Sequence, residues 1–220
     1  MTEIENRRPL KSRDTAWAKR LAAVLVEARV QPNLISATSV PFAVLGGAML
    51  AFSGILPGWA RPVALIVAAA CVQGRLLCNL LDGMVAVEHG QASSAGPIWN
   101  ELPDRIADLL FFVGAGYGAY GLGWNVGPAL GWLAGALAIM TAYVRELGRG
   151  LGFPADFSGP MAKPQRMAAL TVICLAAALE PLWDGRGLMM TAGLVVIAAA
   201  TAWTVIRRVR RLAAGLAARP

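Results

Sequence analysis

Acidic and amide side chains are concentrated in one short, otherwise apolar stretch of this sequence. Asn79 and Asp82 are spaced to share one face of a helix, and Asn100, Asp104 and Asp108 recur with a spacing that places them on one face of another. If two helices bring these faces together, several carboxylates meet at one point and repel one another. A hard divalent ion such as Mg2+ or Mn2+, bound through oxygen ligands, is the simplest way to neutralise them.

Composition indicates which elements must position these side chains. Of the 220 residues, 57% are hydrophobic and 15% are charged, which is far more apolar than a soluble globular domain. A membrane-spanning helix needs roughly 20 mainly apolar residues. The sequence therefore predicts an all-α polytopic membrane protein with about six transmembrane helices, which leaves little length for a separate soluble domain.

The order of apolar and polar segments divides the chain into three parts. Residues 13–29 place Trp17, Leu21 and Val24 on one side, as in an amphipathic helix lying on an anionic membrane surface. We therefore predict a cytoplasmic N-terminal segment at 1–32, a transmembrane catalytic domain at 33–206 and a basic cytoplasmic tail at 207–220. The predicted spans are 34–52, 62–87, 97–120, 126–146, 165–182 and 187–206.

The distribution of Lys and Arg predicts the orientation. The N-terminal segment, the connection between the fourth and fifth spans and the C-terminal tail are rich in Lys and Arg, whereas the opposite side carries Arg61 and Arg186. By the positive-inside rule, both termini are cytoplasmic in an inner (cytoplasmic) membrane, and the acidic stretch lies near the cytoplasmic face. The net charge of +7 is then explained by topology and anionic membrane lipid. No motif for nucleic acid competes with this interpretation.

The acidic stretch also resembles a known family signature. CDP-alcohol phosphatidyltransferases, integral membrane enzymes with six spans, carry the pattern D-x2-D-G-x2-A-R-x8-G-x3-D-x3-D. Asp82, Gly83, Ala86, Gly96 and Asp104 occupy matching positions here, and the spacer "EHGQASSA" has the matching length. The segments "QPNLIS", "RELGRG" and "GPMAKPQRM" are similar to further segments of the family, so the resemblance extends over most of the chain.

The resemblance implies a function. It implies metal-dependent transfer of a phosphatidyl group from a CDP-activated lipid to the hydroxyl of an alcohol acceptor, with release of CMP, in phospholipid biosynthesis. It implies Asp104 as the catalytic general base. It further implies a CDP-lipid site at Asn33, Gly83, Ala86 and Gly96, where the small residues serve either close approach of the nucleotide or helix packing. Four cations are candidates for binding the acceptor's phosphate, or else lipid headgroups: Arg145, Arg149, Lys163 and Arg166.

The sequence departs from the signature at three positions. Asn79 and Asn100 stand where the family has aspartates, and Val87 stands where it has arginine. Amide oxygens can ligate a hard metal but carry no charge, so Glu101 and Asp108 are candidate substitutes. Counting them gives a hypothetical metal site for one or two ions of Mg2+ or Mn2+: Asn79, Asp82, Asn100, Glu101, Asp104 and Asp108.

Asp108 has an alternative interpretation. Arg75 lies on the same helix face as Asn79, one turn away from it, and it can pair with Asp108 across the two helices. In that interpretation Asp108 belongs to an interhelical ion pair, and the metal site has less negative charge.

The same residues are compatible with two other functions. The departures are compatible with a degenerate relative that binds CDP-lipid or metal without turnover. A small cation transporter is compatible with acids in the membrane, although these acids lie at one membrane end and the sequence shows no pair of matched halves with interrupted helices.

Glycines recur at four-residue spacing in the third span, at 114 and 118, and in the fourth, at 127, 131 and 135. This spacing allows close helix contact, either within the chain or in a homodimer.

Overall fold

The computed structural model describes residues 11–88 and 96–219. Residues 1–10, 89–95 and 220 lie outside this description, and with them the start of the N-terminal segment and all but the first residue of the spacer "EHGQASSA", including His89. The described residues form seven α-helices and two short 3-10 helices, and they contain no strand. The α-helices are α1 (Ala16–Glu27), α2 (Pro32–Phe52), α3 (Ala60–Glu88), α4 (Gly96–Gly121), α5 (Gly127–Gly150), α6 (Lys163–Leu179) and α7 (Leu188–Ala217).

The all-helical membrane fold predicted from composition is confirmed. Five helices, α2, α3, α5, α6 and α7, are long and apolar enough to cross a bilayer. Helix α4 is equally long, but Glu101, Asp104, Arg105 and Asp108 lie in its first half. Its second half, 109–121, carries no charged residue. The count of six spans therefore stays a prediction that depends on α4.

Helix α1 packs with one face against α3 and exposes the other. Ala18 and Ala22 are fully buried and belong to a cluster with Leu81 and Met84 of α3. Trp17 is exposed on the outer side, as expected for a helix that contacts lipid headgroups and acyl chains at the membrane surface.

Helices α2 to α7 form a closed ring in the order α2, α3, α6, α7, α5, α4 and back to α2. The main apolar core lies inside this ring and includes the fully buried side chains of Phe111, Phe112 and Leu170. Helices α3 and α4 are consecutive in the chain but both take α2 as a principal packing partner. Long polar side chains, described below, bridge the space between them.

The recurring glycines allow close contact between helices of this chain. A Cβ atom added at Gly114 would lie 2.2 Å from the carbonyl oxygen of Gly47 in α2, and one at Gly127 would lie 2.4 Å from the carbonyl oxygen of Gly116. The others of the series also lie against neighbouring helices. The structure thus favours internal packing as the reason for this spacing, and a homodimer stays a prediction.

A buried ion pair joins three helices at the end of the bundle where α3 begins. The Arg61 guanidinium donates to the Glu180 carboxylate, and Glu180 is fully buried just after α6. The backbone N–H groups of Gly187 and Met189 also donate to Glu180, at 2.8 and 2.5 Å. A carboxylate at this position stabilises the N-terminus of α7 through both hydrogen bonds and the helix dipole.

Helix α7 runs to Ala217 rather than ending near residue 206, and its last turns hold the connection between α5 and α6. Arg208 is buried and donates to the carbonyl oxygens of Thr141 and Ser158, at 2.7 and 3.0 Å. In the same connection, burial alone would raise the pKa of Asp156, but hydrogen bonds from Ser158 and the charges of Arg208 and Arg211 lower it. Part of the basic tail therefore has a structural role.

Candidate active site

The two polar helix faces predicted from the sequence meet at one end of the bundle. The side-chain amide of Asn79 on α3 donates a hydrogen bond from Nδ2 to Oδ1 of Asp104 on α4. Asp82, one turn further along α3, and Asp104 are both almost fully buried. Helical spacing is the reason that Asn79 and Asp82 point the same way.

Asp104 also binds two cations. Lys163, the first residue of α6, donates from Nζ to Oδ2 of Asp104. The Arg75 guanidinium lies 3.1 Å from Oδ1 of Asp104 and 3.0 Å from its carbonyl oxygen. Both carboxylate oxygens of Asp104 therefore accept hydrogen bonds from protein groups.

Asp108 lies between two buried guanidinium groups. Arg75 Nη2 is 2.9 Å from Oδ1 of Asp108, and Arg166 Nη2 is 2.9 Å from Oδ2. Arg166 is held in turn by Thr141 and by the carbonyl oxygen of Met161. Asp108 is fully buried, so the structure favours the interhelical ion pair over the metal-ligand interpretation.

Glu101 contacts arginines rather than the buried acids. One carboxylate oxygen accepts from Arg105 in the next turn of α4, and the other lies 2.6 Å from Nη2 of Arg145 on α5. Its side chain is 34% exposed. Together with the contacts of Asp108, this argues against the recount that placed Glu101 and Asp108 in a four-carboxylate metal site.

Asp82 has different surroundings. The Ser36 hydroxyl on α2 donates to its Oδ2 at 2.6 Å in a buried contact. None of the described Lys and Arg residues forms an ion pair with Asp82. Asp82 is therefore the buried acid of this cluster that makes no direct ion pair with a described cation.

The four cations proposed for the acceptor fall into two pairs. Lys163 and Arg166 reach the buried acids, as described above. Arg145 and Arg149 both contact Glu146, at 2.8 Å, and the Arg145 guanidinium also lies over the Phe157 ring, 5.4 Å from its centroid. Two of the four thus belong to the acidic cluster and two to a more exposed ion-pair group.

The residues proposed for CDP-lipid contact are all partly exposed near this end of the bundle. Gly83 and Ala86 lie on α3 just beyond Asp82, Gly96 begins α4, and Asn33 lies in the first turn of α2. Asn100 is exposed one turn before Asp104.

Sequence reasoning missed the contacts that α6 and α2 make at this site. It paired neither Lys163 with Asp104 nor Arg166 with Asp108, because nothing in the local pattern indicates that the start of α6 lies beside α4. It did not nominate Ser36, although this residue ends the "QPNLIS" stretch and its position near the start of α2 was a usable signal.

Solved structures with this fold are known. The chain superimposes on Mycobacterium tuberculosis phosphatidylinositol phosphate synthase with CDP-DAG bound, with a TM-score of 0.73, 19% identity and coverage of 90% of this chain and 94% of that one. A second structure of that protein, in complex with manganese and citrate, gives a TM-score of 0.69 at 18% identity, covering 89% and 88%. These neighbours are CDP-alcohol phosphatidyltransferases, so the resemblance seen in the sequence is confirmed at the level of the fold.

One curated relative is similar along most of its length. Inner membrane protein YnbA of Escherichia coli (strain K12) is 24% identical over 187 residues, which cover 84% of this chain and 86% of the relative. No family model matches the chain.

Proposed function

We propose that this protein is a membrane phosphatidyltransferase that moves a phosphatidyl group from a CDP-activated lipid to an alcohol and releases CMP. The observation that carries the proposal is the partly buried contact between Asn79 and Asp104, with Asp82 one turn from Asn79. This contact joins α3 and α4, which carry the two halves of the stretch that resembles the family signature. The same fold in a phosphatidylinositol phosphate synthase with CDP-DAG bound supports it.

The donor set fits one hard divalent ion, Mg2+ or Mn2+. Among the residues that the structure describes, no three His, Cys, Asp or Glu side chains form a group suited to holding a metal. Mg2+ is nevertheless often held by one or two carboxylates together with substrate phosphates. Asp82 would supply the carboxylate, and the amide oxygens of Asn79 and Asn100 are candidate neutral ligands. When bound, the ion would neutralise negative charge that develops on the departing CMP.

Asp104 would act as the general base. It would accept the proton of the acceptor hydroxyl while the acceptor oxygen bonds to the phosphorus that carries the lipid and the bond from that phosphorus to the oxygen of CMP breaks. For this, one of its oxygens must exchange a protein donor for the acceptor hydroxyl. Lys163 is the more mobile candidate, because its side chain is 23% exposed, whereas that of Arg75 is fully buried.

The remaining groups would bind and orient the substrates. Asn33, Gly83, Ala86 and Gly96 border the end of α3 and the start of α4, where a nucleotide would approach the backbone closely. Arg145 and Arg149 are candidates for binding an anionic acceptor.

The similarity to an inner membrane protein supports an inner-membrane location. The distribution of Lys and Arg supports an orientation with both termini and the site on the cytoplasmic side.

The test is CMP release by the purified protein in detergent, with CDP-diacylglycerol and a pool of candidate alcohols. We expect release with Mg2+ or Mn2+, loss of release with EDTA, and loss of release in Asp104→Asn. Asp184→Asn is a matched control, since that carboxylate is exposed between α6 and α7. Release that is indifferent to EDTA and to Asp104→Asn would refute the proposed mechanism.

A second candidate is a relative that binds CDP-lipid without turnover. The observation that favours it is the occupation of both Asp104 oxygens by protein donors. Metal-dependent binding of CDP-diacylglycerol with no CMP release from any alcohol would favour this candidate. A cation transporter is less well supported, because the buried Arg61–Glu180 pair joins the helices at the other end of the bundle.

A further inference from the structure

The buried acids of the site are largely balanced by cations of the protein itself. Asp104 contacts Lys163 and Arg75, and Asp108 contacts Arg75 and Arg166. Because Arg75, Asp108 and Arg166 are fully buried or nearly so, solvent screens these charges only weakly. Because these three cations face only two carboxylates, a second divalent ion added here would bring two positive charges to a group that is already positive overall.

Asn79 makes the contact that a bridging cation would otherwise make. A carboxylate at this position would face Oδ1 of Asp104 with two acceptors and no proton between them, and it would need a cation to relieve the repulsion. The Asn79 amide instead donates directly to that oxygen. The amide thus removes the negative charge that a second ion would require and satisfies Asp104 without one.

Arg75 depends on two carboxylates to compensate its buried charge. Its Nη2 atom makes all the contacts to Asp104 and Asp108, whereas Nε and Nη1 have no hydrogen-bond partner among the described residues. A fully buried guanidinium is destabilised unless anionic groups surround it. Removing electron density from Asp104 by metal ligation would weaken the anionic surroundings on which Arg75 depends.

We propose that Lys163 and Arg75 take the place of a second metal ion, so that this site binds a single divalent ion at Asp82. The inference rests on the proposed function for the ion's chemical role, but the number of ions is independent of turnover. Lys163 and Arg75 then supply the positive charge on the Asp104 side of the site, and the ion supplies it on the Asp82 side.

The test counts Mn2+ ions bound to the purified full-length protein in detergent with CDP-diacylglycerol, from the electron paramagnetic resonance signal of free Mn2+, and subtracts the Mn2+ bound by the same lipid and detergent without protein. We expect one ion per chain in the wild type and none in Asp82→Asn. Two ions per chain in the wild type, none in the wild type, or an undiminished count in Asp82→Asn would overturn the proposal.

Two further variants test the role assigned to the cations. Lys163→Met removes a positive charge next to Asp104, so Mn2+ should bind at least about tenfold more tightly. Asn79→Asp combined with Lys163→Met restores an acid and removes the cation, so a second ion should bind. Lys19→Met is the matched control, because Lys19 is exposed on α1 and its loss should change neither number nor affinity. Unchanged affinity in Lys163→Met, or a count of one in a folded double variant, would contradict the proposal.

The same preparations separate this inference from the proposed function. Two ions per chain with EDTA-sensitive CMP release would refute the single-ion inference and leave the transferase function standing. One ion per chain with no CMP release from any alcohol would refute the transferase function and leave the single-ion inference standing.

Discussion

Three buried aspartates at this site have different partners, and the partner decides what each can do. Asp108 contacts two guanidinium groups, Asp104 contacts Lys163 and Arg75, and Asp82 contacts the Ser36 hydroxyl. Removing one partner of a buried ion pair leaves an uncompensated charge. Removing a buried carboxylate that has no ion-pair partner has no such cost.

We therefore expect Asp108→Asn and Asp82→Asn to have opposite signatures. Asp108→Asn should lower the free energy of unfolding by roughly 3 to 5 kcal/mol, because Arg75 and Arg166 lose their shared anion. Asp82→Asn should leave stability unchanged or raised, yet abolish Mn2+ binding. Unfolding in detergent and Mn2+ titration measure the two effects.

The control for these variants is Asp184→Asn, which makes the same chemical change at an exposed ion pair worth little to stability. If Asp82→Asn destabilised the protein as much as Asp108→Asn, the division of roles among the three aspartates would be wrong.

At this scale the sequence predicted some contacts and not others. The Arg75–Asp108 pair followed from helix spacing as one of two alternatives, because both residues lie within the same stretch of α3 and α4. The partners Lys163, Arg166 and Ser36 come from α6 and α2, and their proximity depends on how the helices are arranged. Local spacing carries no information about that arrangement.

Helices are the elements that the sequence predicts best here, because hydrocarbon tolerates only segments whose backbone groups are satisfied internally. All six predicted spans correspond to helices, with ends that differ by a few residues for most of them. The exception is α7, which continues to Ala217 because its arginines bind the connection between α5 and α6. The ring order was not predicted, because glycine spacing indicates close contact without naming the partner helix.

Close contact between α2 and α4 gives a test at the scale of elements. In Gly114→Ala, the new Cβ atom would overlap the Gly47 carbonyl oxygen at 2.2 Å, so the two helices must separate. We expect a lower melting temperature in detergent, and a loss of CMP release if the separation extends to Asp104.

Gly150→Ala is the matched control for that variant. Gly150 is also helical, and a Cβ atom there would meet nothing within 4 Å. Its melting temperature should be unchanged or slightly higher, since alanine favours helix by up to about 1 kcal/mol over glycine. Equal melting temperatures for the two variants would contradict close packing at Gly114.

For the molecule as a whole, the orientation in the membrane can be tested by labelling single cysteines. Trp59, 84% exposed between α2 and α3, lies on the side with few basic residues. Ala16 and Ala218 are exposed near the two termini. The native cysteines are buried, so they should react slowly and give little background.

We expect a membrane-impermeant maleimide to label Trp59→Cys in intact spheroplasts. Ala16→Cys and Ala218→Cys should be labelled only after the membrane is permeabilised, because both termini are predicted to be cytoplasmic. Labelling of either terminal variant in intact spheroplasts would invert the orientation or change the number of spans.

The buried Arg61–Glu180 pair has a consequence for where products go. Glu180 joins the start of α3, the end of α6 and the start of α7, roughly 30 Å along α3 from Asp82 at 1.5 Å per residue. In a bundle that spans the bilayer as predicted, with that end tied together, the acids would face a single leaflet. A lipid formed there would enter that leaflet alone, and a cell that needs it in the other leaflet must supply a separate means of flipping it.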